Sequence, residues 1–352
     1  MSPGITSTSP SPEGLVPLVR RFRAMNTDVT LQVVGPGARA AALLAEAEQV
    51  FVRVERTCTR FDPTSALMQA NAAADQWCEV PQECYLAIAE AAGAHLETEG
   101  LFDPRVLTSL VAMGYDRTLP FGDGPVRLSA GRTPDDIPSI VPVTSGTAGG
   151  TALGTSARTS TGTAPWAPGL DRHHRAVAVG PVPIDLGGIG KGLAVRWAAH
   201  LLFEAGAGYL VEAGGDCALS GPGPDGGPWR VGVEDPLGGS EPVAVLEVTD
   251  IGCATSSLRK RTWQVDGRQV HHLVDPRTGI SADTGLRSVT VLDSDPARAE
   301  VWSKALLIAG RHRIAELAHA KVLPALWVDE SGRLEASEAI RDDIIWSASH
   351  VH

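Results

Sequence analysis

The chain has no uncharged apolar stretch near the roughly 20 residues that a membrane-crossing helix needs. Its start, MSPGITSTSPSPEGLVPLVRRF, has neither the apolar core of a secretory leader nor a small-residue cleavage site. These absences predict a cytoplasmic protein with no membrane insertion. Basic residues are also in short supply: 30 Lys plus Arg stand against 41 Asp plus Glu, a formal net charge of −11, and they form no basic stripe. That balance argues against nucleic acid or anionic membrane as the main partner, and a small molecule fits better. Cysteine is scarce and odd in number. Cys58, Cys78, Cys84, Cys217 and Cys253 form no C-x-x-C and have no histidine at zinc spacing, so neither a disulfide framework nor a zinc site is expected. What 352 residues do supply is ample apolar material for a core, in one large domain or two.

Residues 1–20 are rich in Ser and Pro and are expected to be disordered. FRAMNTDVTLQVVG (22–35) alternates as a strand does, and ARAAALLAEAEQVFVRVERTCTRF (38–61) has helical periodicity. PQECYLAIAEAAGAHLETEG (81–100) reads as a second helix, closed by Gly100. From about 119 to 170 the composition turns to Gly, Ser, Thr, Pro and Ala, which predicts a flexible insertion. Short β segments joined by Gly and Asp turns follow the next helix, and ARAEVWSKALLIAG (297–310) and HRIAELAHA (312–320) are helical. Helices mixed with mostly consecutive strands predict an α+β fold, as one domain over 21–345 that carries the insertion.

IDLGGIGKGLAVRW (184–197) places Gly187, Gly188, Gly190 and Gly192 between an apolar strand and a helix start. Glycines there let a ligand approach backbone N–H groups at the positive end of the helix, a phosphate-handling geometry, although a plain tight turn explains them equally well. The segment is not a P-loop, because Asp185 stands at the first glycine and Gly192 at the Ser/Thr. It also lacks the G-x-G-x-x-G spacing of a dinucleotide fingerprint.

Further motifs accompany it in order: MNTD, RFDPTSALMQAN, GLFDP, EAGGD with WRVGVEDP, ATSS, HHLVDPRTG and AEVWSKALLIAG. Together with DLGGIGKG this series, from about Phe22 to Ala309, resembles the ApbE family of FAD:protein FMN transferases. The resemblance implies an ApbE-like, T-fold-like architecture of largely antiparallel sheets packed with helices, with an FAD cleft between sub-regions. It implies FAD as substrate, a divalent metal, usually magnesium, and transfer of FMN to a threonine of an acceptor flavoprotein with release of AMP.

Carried over residue by residue, the resemblance puts Met25, Phe61, Leu101, Phe102 and Asp103 against FAD. Asn26 replaces the family's glycine after Met25, and Phe61 a common tyrosine. Asp185, Gly187, Gly188 and Lys191 fall at the ligand-facing part of the glycine turn, and Thr255 and Ser256 supply hydroxyls near the phosphates. His272 matches the family histidine and is the expected general base or proton shuttle, since its ordinary pKa suits transfer near neutral pH. Strand alternation sends His271 to the opposite face. Asp275 either orients His272 or holds its Asp-Pro turn. For the metal, the family's Ala-Asp-Ala-x-x-Thr helix reads AEVWSK: Glu300 replaces the aspartate and Lys304 the threonine, with a backbone carbonyl of Gly188 or Gly190 as the further ligand. A protonated lysine has no lone pair to offer a metal. Lys304 is therefore expected to stand in for the cation, whereas the plainer alternative is an i,i+4 pair on one helix face.

Two other readings stay open from the sequence: a non-catalytic FAD-binding or flavin-storage protein, and an FAD pyrophosphatase that gives FMN and AMP.

Overall fold

The computed structural model describes residues 16–121, 126–128, 165–265 and 267–348. Seven α-helices occur among them: α1 Ala40–Cys58, α2 Ala66–Ala73, α3 Gln82–Glu97, α4 Leu107–Ala112, α5 Gly190–Leu202, α6 Pro296–Ala309 and α7 Ile314–Ala320. The main sheet is antiparallel throughout and has eight strands, in the spatial order 18–24, 27–34, 208–213, 216–220, 251–257, 286–293, 325–329 and 334–336. The α+β expectation holds.

Alternation along these strands divides the core into two layers. Val29, Leu31, Val33 and Ala218 face α1, α3 and α5, while Val289, Val291, Ala325 and Trp327 face α6 and α7. Their neighbours Cys217, Leu219, Cys253, Leu292, Leu326 and Val328 point to the other face. There they meet a three-stranded sheet formed by 229–233, 244–248 and 344–347. A smaller core around Leu110, Met113, Tyr115 and Trp263 holds the hairpin 262–271 beside α4.

Several expectations need correction. FRAMNTDVTLQVVG is two strands, Leu18–Ala24 and Thr27–Val34, joined by a tight turn in which Met25 and Asn26 both have positive φ, 53° and 57°. This is the two-residue turn whose twist matches a hairpin, and Asn tolerates it well. Disorder is expected through residue 20, but the first strand begins at Leu18; residues 1–15 lie outside the described ones. Most of the expected insertion, 122–125 and 129–164, lies outside them too. Its edges are ordered: Leu119 is buried in the small core, and buried Trp166 donates its indole N–H to Val179 O at 2.9 Å.

The helices α5 and α6 cross closely at their N-terminal ends. A Cβ at Gly192 would lie 2.6 Å from Ala297 Cα and 2.8 Å from Pro296 O, so only glycine lets the two helix starts meet. Gly192→Ala should therefore lower stability by about 1–3 kcal/mol through overpacking. Gly93→Ala, where a Cβ meets nothing within 4 Å inside α3, should be neutral or stabilising. Urea unfolding midpoints of the two variants check this contrast.

Candidate active site

Two sequence-distant loops are tied together by a backbone hydrogen bond, and a side chain of α2 braces one of them. Asp185 N–H donates to Pro104 O at 2.7 Å, which joins the glycine turn to the GLFDP loop. Asn71 on α2 acts as a false strand for the same segment: its amide nitrogen donates to Ile184 O and its amide oxygen accepts from Ile184 N–H, each at 2.9 Å. Between these loops and the residues that flank the hairpin 262–271, Arg261 and His272, lies a cavity of about 290 Å³.

Ten of the residues singled out in the sequence line this cavity: Met25 and Phe61, the run Leu101, Phe102 and Asp103, then Asp185, Gly187, Gly188, Lys191 and His272. Gly190 and Lys304 line it as well. Four cationic side chains border it, Arg60, Lys191, Arg261 and Lys304, and the first and third of these were not anticipated. The Arg60 guanidinium lies over the adjoining rings of Phe61 and Tyr115, 4.2 Å from each ring centroid, and pairs with Asp185 at 3.8 Å. Its Nη2 is buried without a hydrogen-bond partner. Arg261 ends a basic run whose other members, Arg259 and Lys260, are both held by Glu234. That division of labour leaves no trace in the sequence.

Beneath the glycine turn sits a buried cluster of four charges. Glu300 Oε1 accepts from Lys191 Nζ and from Lys304 Nζ, both at 3.0 Å, and its Oε2 accepts the Gly192 N–H at 2.8 Å. Lys191 also pairs with buried Asp216. Two ammoniums and two carboxylates make the cluster neutral overall. Burial works against ionisation of Glu300, yet Lys191 and Lys304 outweigh it and bring its pKa down to about 2. Asp216 goes the other way: burial first, then the Glu300 charge, push it up to about 6. Burial holds Lys304 below the ordinary lysine value despite Glu300, whereas Asp216 and Glu300 together keep Lys191 above it.

Other expected site residues are placed differently. Thr255 and Ser256 do not line the cavity. Thr255 shares a hydrogen bond with Thr290 across the sheet at 2.9 Å, and buried Ser256 one with Ser303 on α6 at 2.8 Å. Asp275 is taken up by its own turn: its carboxylate accepts from Arg277 Nη2 at 2.6 Å and from the Arg277 backbone N–H at 2.9 Å. It is not a partner of His272, whose Nδ1 is buried without one. The geometry thus favours the turn over the orienting role. His271 turns away from the cavity, as alternation requires, with Nε2 3.0 Å from Ala282 O. Part of the expected phosphate cradle is already used, since Gly187 N–H donates to Asp185 Oδ1 at 3.0 Å and Gly192 N–H to Glu300.

The family model described as the ApbE family matches residues 25–327. The chain belongs to the ApbE family. An FAD:protein FMN transferase of Salmonella typhimurium is 30% identical over 151 residues, 42% of this chain and 43% of that protein. One from Vibrio cholerae is 34% identical over 147 residues, 41% of this chain and 44% of that one. The chain thus matches less than half the length of these curated relatives. Among solved structures, the ApbE protein of Thermotoga maritima superimposes with a TM-score of 0.74 at 26% identity, over 93% of this chain and 99% of that one. Flavin transferase ApbE from Vibrio cholerae, at 21% identity and a TM-score of 0.71 over 94% and 99%, shares the fold.

The metal implied by this family does not fit the residues present here. Both oxygens of Glu300 are engaged by donors, and Lys304 is itself a cation. Ser303, the other oxygen on that turn of α6, is buried and donates to Glu300 O at 3.0 Å. Among the described residues no group of three or more His, Cys, Asp or Glu side chains is placed to hold a metal ion.

The cluster predicts a pH dependence. Below about 6 Asp216 takes up a proton, the cluster changes from neutral to a single positive charge, and an anion in the cavity gains attraction. Affinity for a dinucleotide diphosphate, whose own phosphate charge is constant over this range, should rise as pH falls from 7 to 5, by at most about tenfold per pH unit. Asp216→Asn should flatten the curve, as calorimetric titrations at several pH values would check.

Proposed function

We propose that this chain is an FAD:protein FMN transferase, which takes FAD and attaches its FMN part to a threonine hydroxyl of an acceptor flavoprotein with release of AMP. The observation that carries the reading is the convergence of the glycine turn, the GLFDP loop, Phe61 and His272 on one cavity bordered by four cationic side chains. Membership of the ApbE family and the names of its relatives agree with it.

In this reading the threonine oxygen attacks the phosphorus on the FMN side, that O–P bond forms, and the anhydride P–O bond to AMP breaks. AMP leaves with the electron pair, and the hydroxyl proton passes to a base. Such a transfer needs alignment and positive charge near the oxygens that become more negative, and little covalent help from the protein. Lys191, Lys304 and Arg261 are the side chains that supply the charge. Phe61 and Met25 offer apolar surface to the flavin or adenine ring.

His272 is the proton acceptor of the scheme. Burial, and then the charges of Arg261 and Lys304, hold its pKa well below the ordinary value, so the ring is neutral at pH 7 with one bare nitrogen. An anionic diphosphate beside Arg261 and Lys304 offsets their repulsion and makes the imidazole a better base when substrate is bound. Nδ1 is a buried ring nitrogen without a protein partner and is the atom we assign to take the proton.

We assign the activity to the cytoplasm, where the five unpaired cysteines suit a reducing environment. No helix among the described residues is long and apolar enough to cross a membrane.

Mass spectrometry after incubation with FAD and a threonine-bearing acceptor tests the proposal. An FMN adduct on the acceptor together with AMP is expected. Free FMN and AMP without an adduct would mean a pyrophosphatase, and FAD bound but unchanged a flavin-binding protein. His272→Ala should slow adduct formation by about 10²–10⁴-fold while leaving FAD affinity nearly unchanged.

A further inference from the structure

We propose that the Lys304 ammonium, held on Glu300 beside Lys191, takes the place of a divalent cation at the diphosphate, so that this chain binds FAD and transfers FMN without divalent metal. The inference rests on the FAD reading above and narrows it to a metal-independent form.

Three observations carry it. The first is the occupancy of Glu300, the acidic side chain on this turn of α6. Its Oε1 is shared by two ammonium nitrogens at 3.0 Å each and its Oε2 is taken by the Gly192 N–H at 2.8 Å. Magnesium requires a near-ideal octahedron of oxygens at about 2.0–2.1 Å. To reach Glu300 it would have to drive out Lys304, whose Nζ also lies 3.4 Å from Glu300 O, and sit beside Lys191 at full repulsion.

The second observation is the path of the lysine stem. A Cβ built at Gly188 would lie 3.4 Å from Lys304 Cδ and 3.5 Å from Cε, so the lysine stem passes over Gly188, just beyond the space a side chain there would fill. Gly188 and Lys304 both line the cavity, which brings the ammonium to the place where a phosphate would meet the turn. Because they share one oxygen at 3.0 Å, the two lysine nitrogens are at most about 6 Å apart, a spacing that lets each reach a different phosphate of one diphosphate.

The third is the charge balance. A dication would bring two charges to this corner, and Lys304 brings one. Arg261, which lines the same cavity, is the residue we assign to supply the other. A lysine is covalently tethered, so its charge is present at any metal concentration.

The test compares FAD binding by calorimetry, and FMN transfer, for the full chain in EDTA and in excess magnesium. The proposal expects FAD affinity and transfer in EDTA to stay within about twofold of the values in magnesium, less than the loss of one neutral hydrogen bond. It also expects manganese to give no bound signal in paramagnetic resonance with FAD present. Lys304→Thr should lose about tenfold or more of its FAD affinity in EDTA, the effect of one charge-assisted hydrogen bond, and regain it when magnesium is added. Lys304→Met, similar in length and uncharged, should lose it in both buffers.

A wild-type protein that binds or transfers at least tenfold less in EDTA, with recovery in magnesium, would overturn the inference and leave the transferase reading intact. So would stoichiometric manganese uptake, a measurement that needs no variant. Absence of FAD uptake in both buffers would instead overturn the transferase reading itself.

Discussion

One buried carboxylate, Glu300, organises this protein. It lies on α6, where no water reaches it, and is ionised only because Lys191, Lys304 and the Gly192 N–H all converge on it. A charge in such a place is tolerated when it is paired and fully hydrogen-bonded, and removing one partner leaves the rest exposed to the full desolvation penalty. The same carboxylate therefore fixes where α5 begins, how closely it crosses α6, and where two ammonium groups meet the cavity. Glycine at 192 is the steric counterpart, since no side chain would fit against Pro296 and Ala297.

Around this anchor the rest of the site is apolar and aromatic on one side and cationic on the other. Arg60 is part of both, with its guanidinium over two adjoining rings and one nitrogen unpartnered. Asp103 and Asp185 border the same space, but each already has a cation, Arg105 and Arg60 respectively. Lys191, Lys304 and Arg261 are the cations an entering anion meets there, the first two held by Glu300 and Asp216.

Much of the arrangement was legible in the sequence because motifs in a fixed order identify the loops that converge. The expected helices match α1, α3 and α6 closely in extent, although α6 is buried nearly all round and carries little one-sided pattern. Local alternation failed at Met25 and Asn26, where two residues with positive φ reverse the chain inside an unbroken strand pattern. The family resemblance assigns Thr255 and Ser256 to the site, but their hydroxyls bond Thr290 and Ser303, and Asp275 takes the turn role of its two alternatives by binding Arg277. Arg261 escaped notice for the opposite reason: which member of a basic run turns inward depends on Glu234 holding the other two, and Arg60 because its seat over Phe61 and Tyr115 forms only on folding. The exchange of an aspartate and a threonine for Glu300 and Lys304 was visible at once. Its consequence, a neutral four-charge cluster that includes Asp216, depends on packing and emerges only from the fold.

The most direct test of this account is a crystal structure of the FAD complex grown in a chelator. The account predicts the diphosphate against the glycine turn, with phosphate oxygens in hydrogen-bond reach of Lys304 Nζ and the Lys304–Glu300 pair intact. A diphosphate bound elsewhere, or a Lys304 side chain turned away from both Glu300 and the nucleotide, would contradict it.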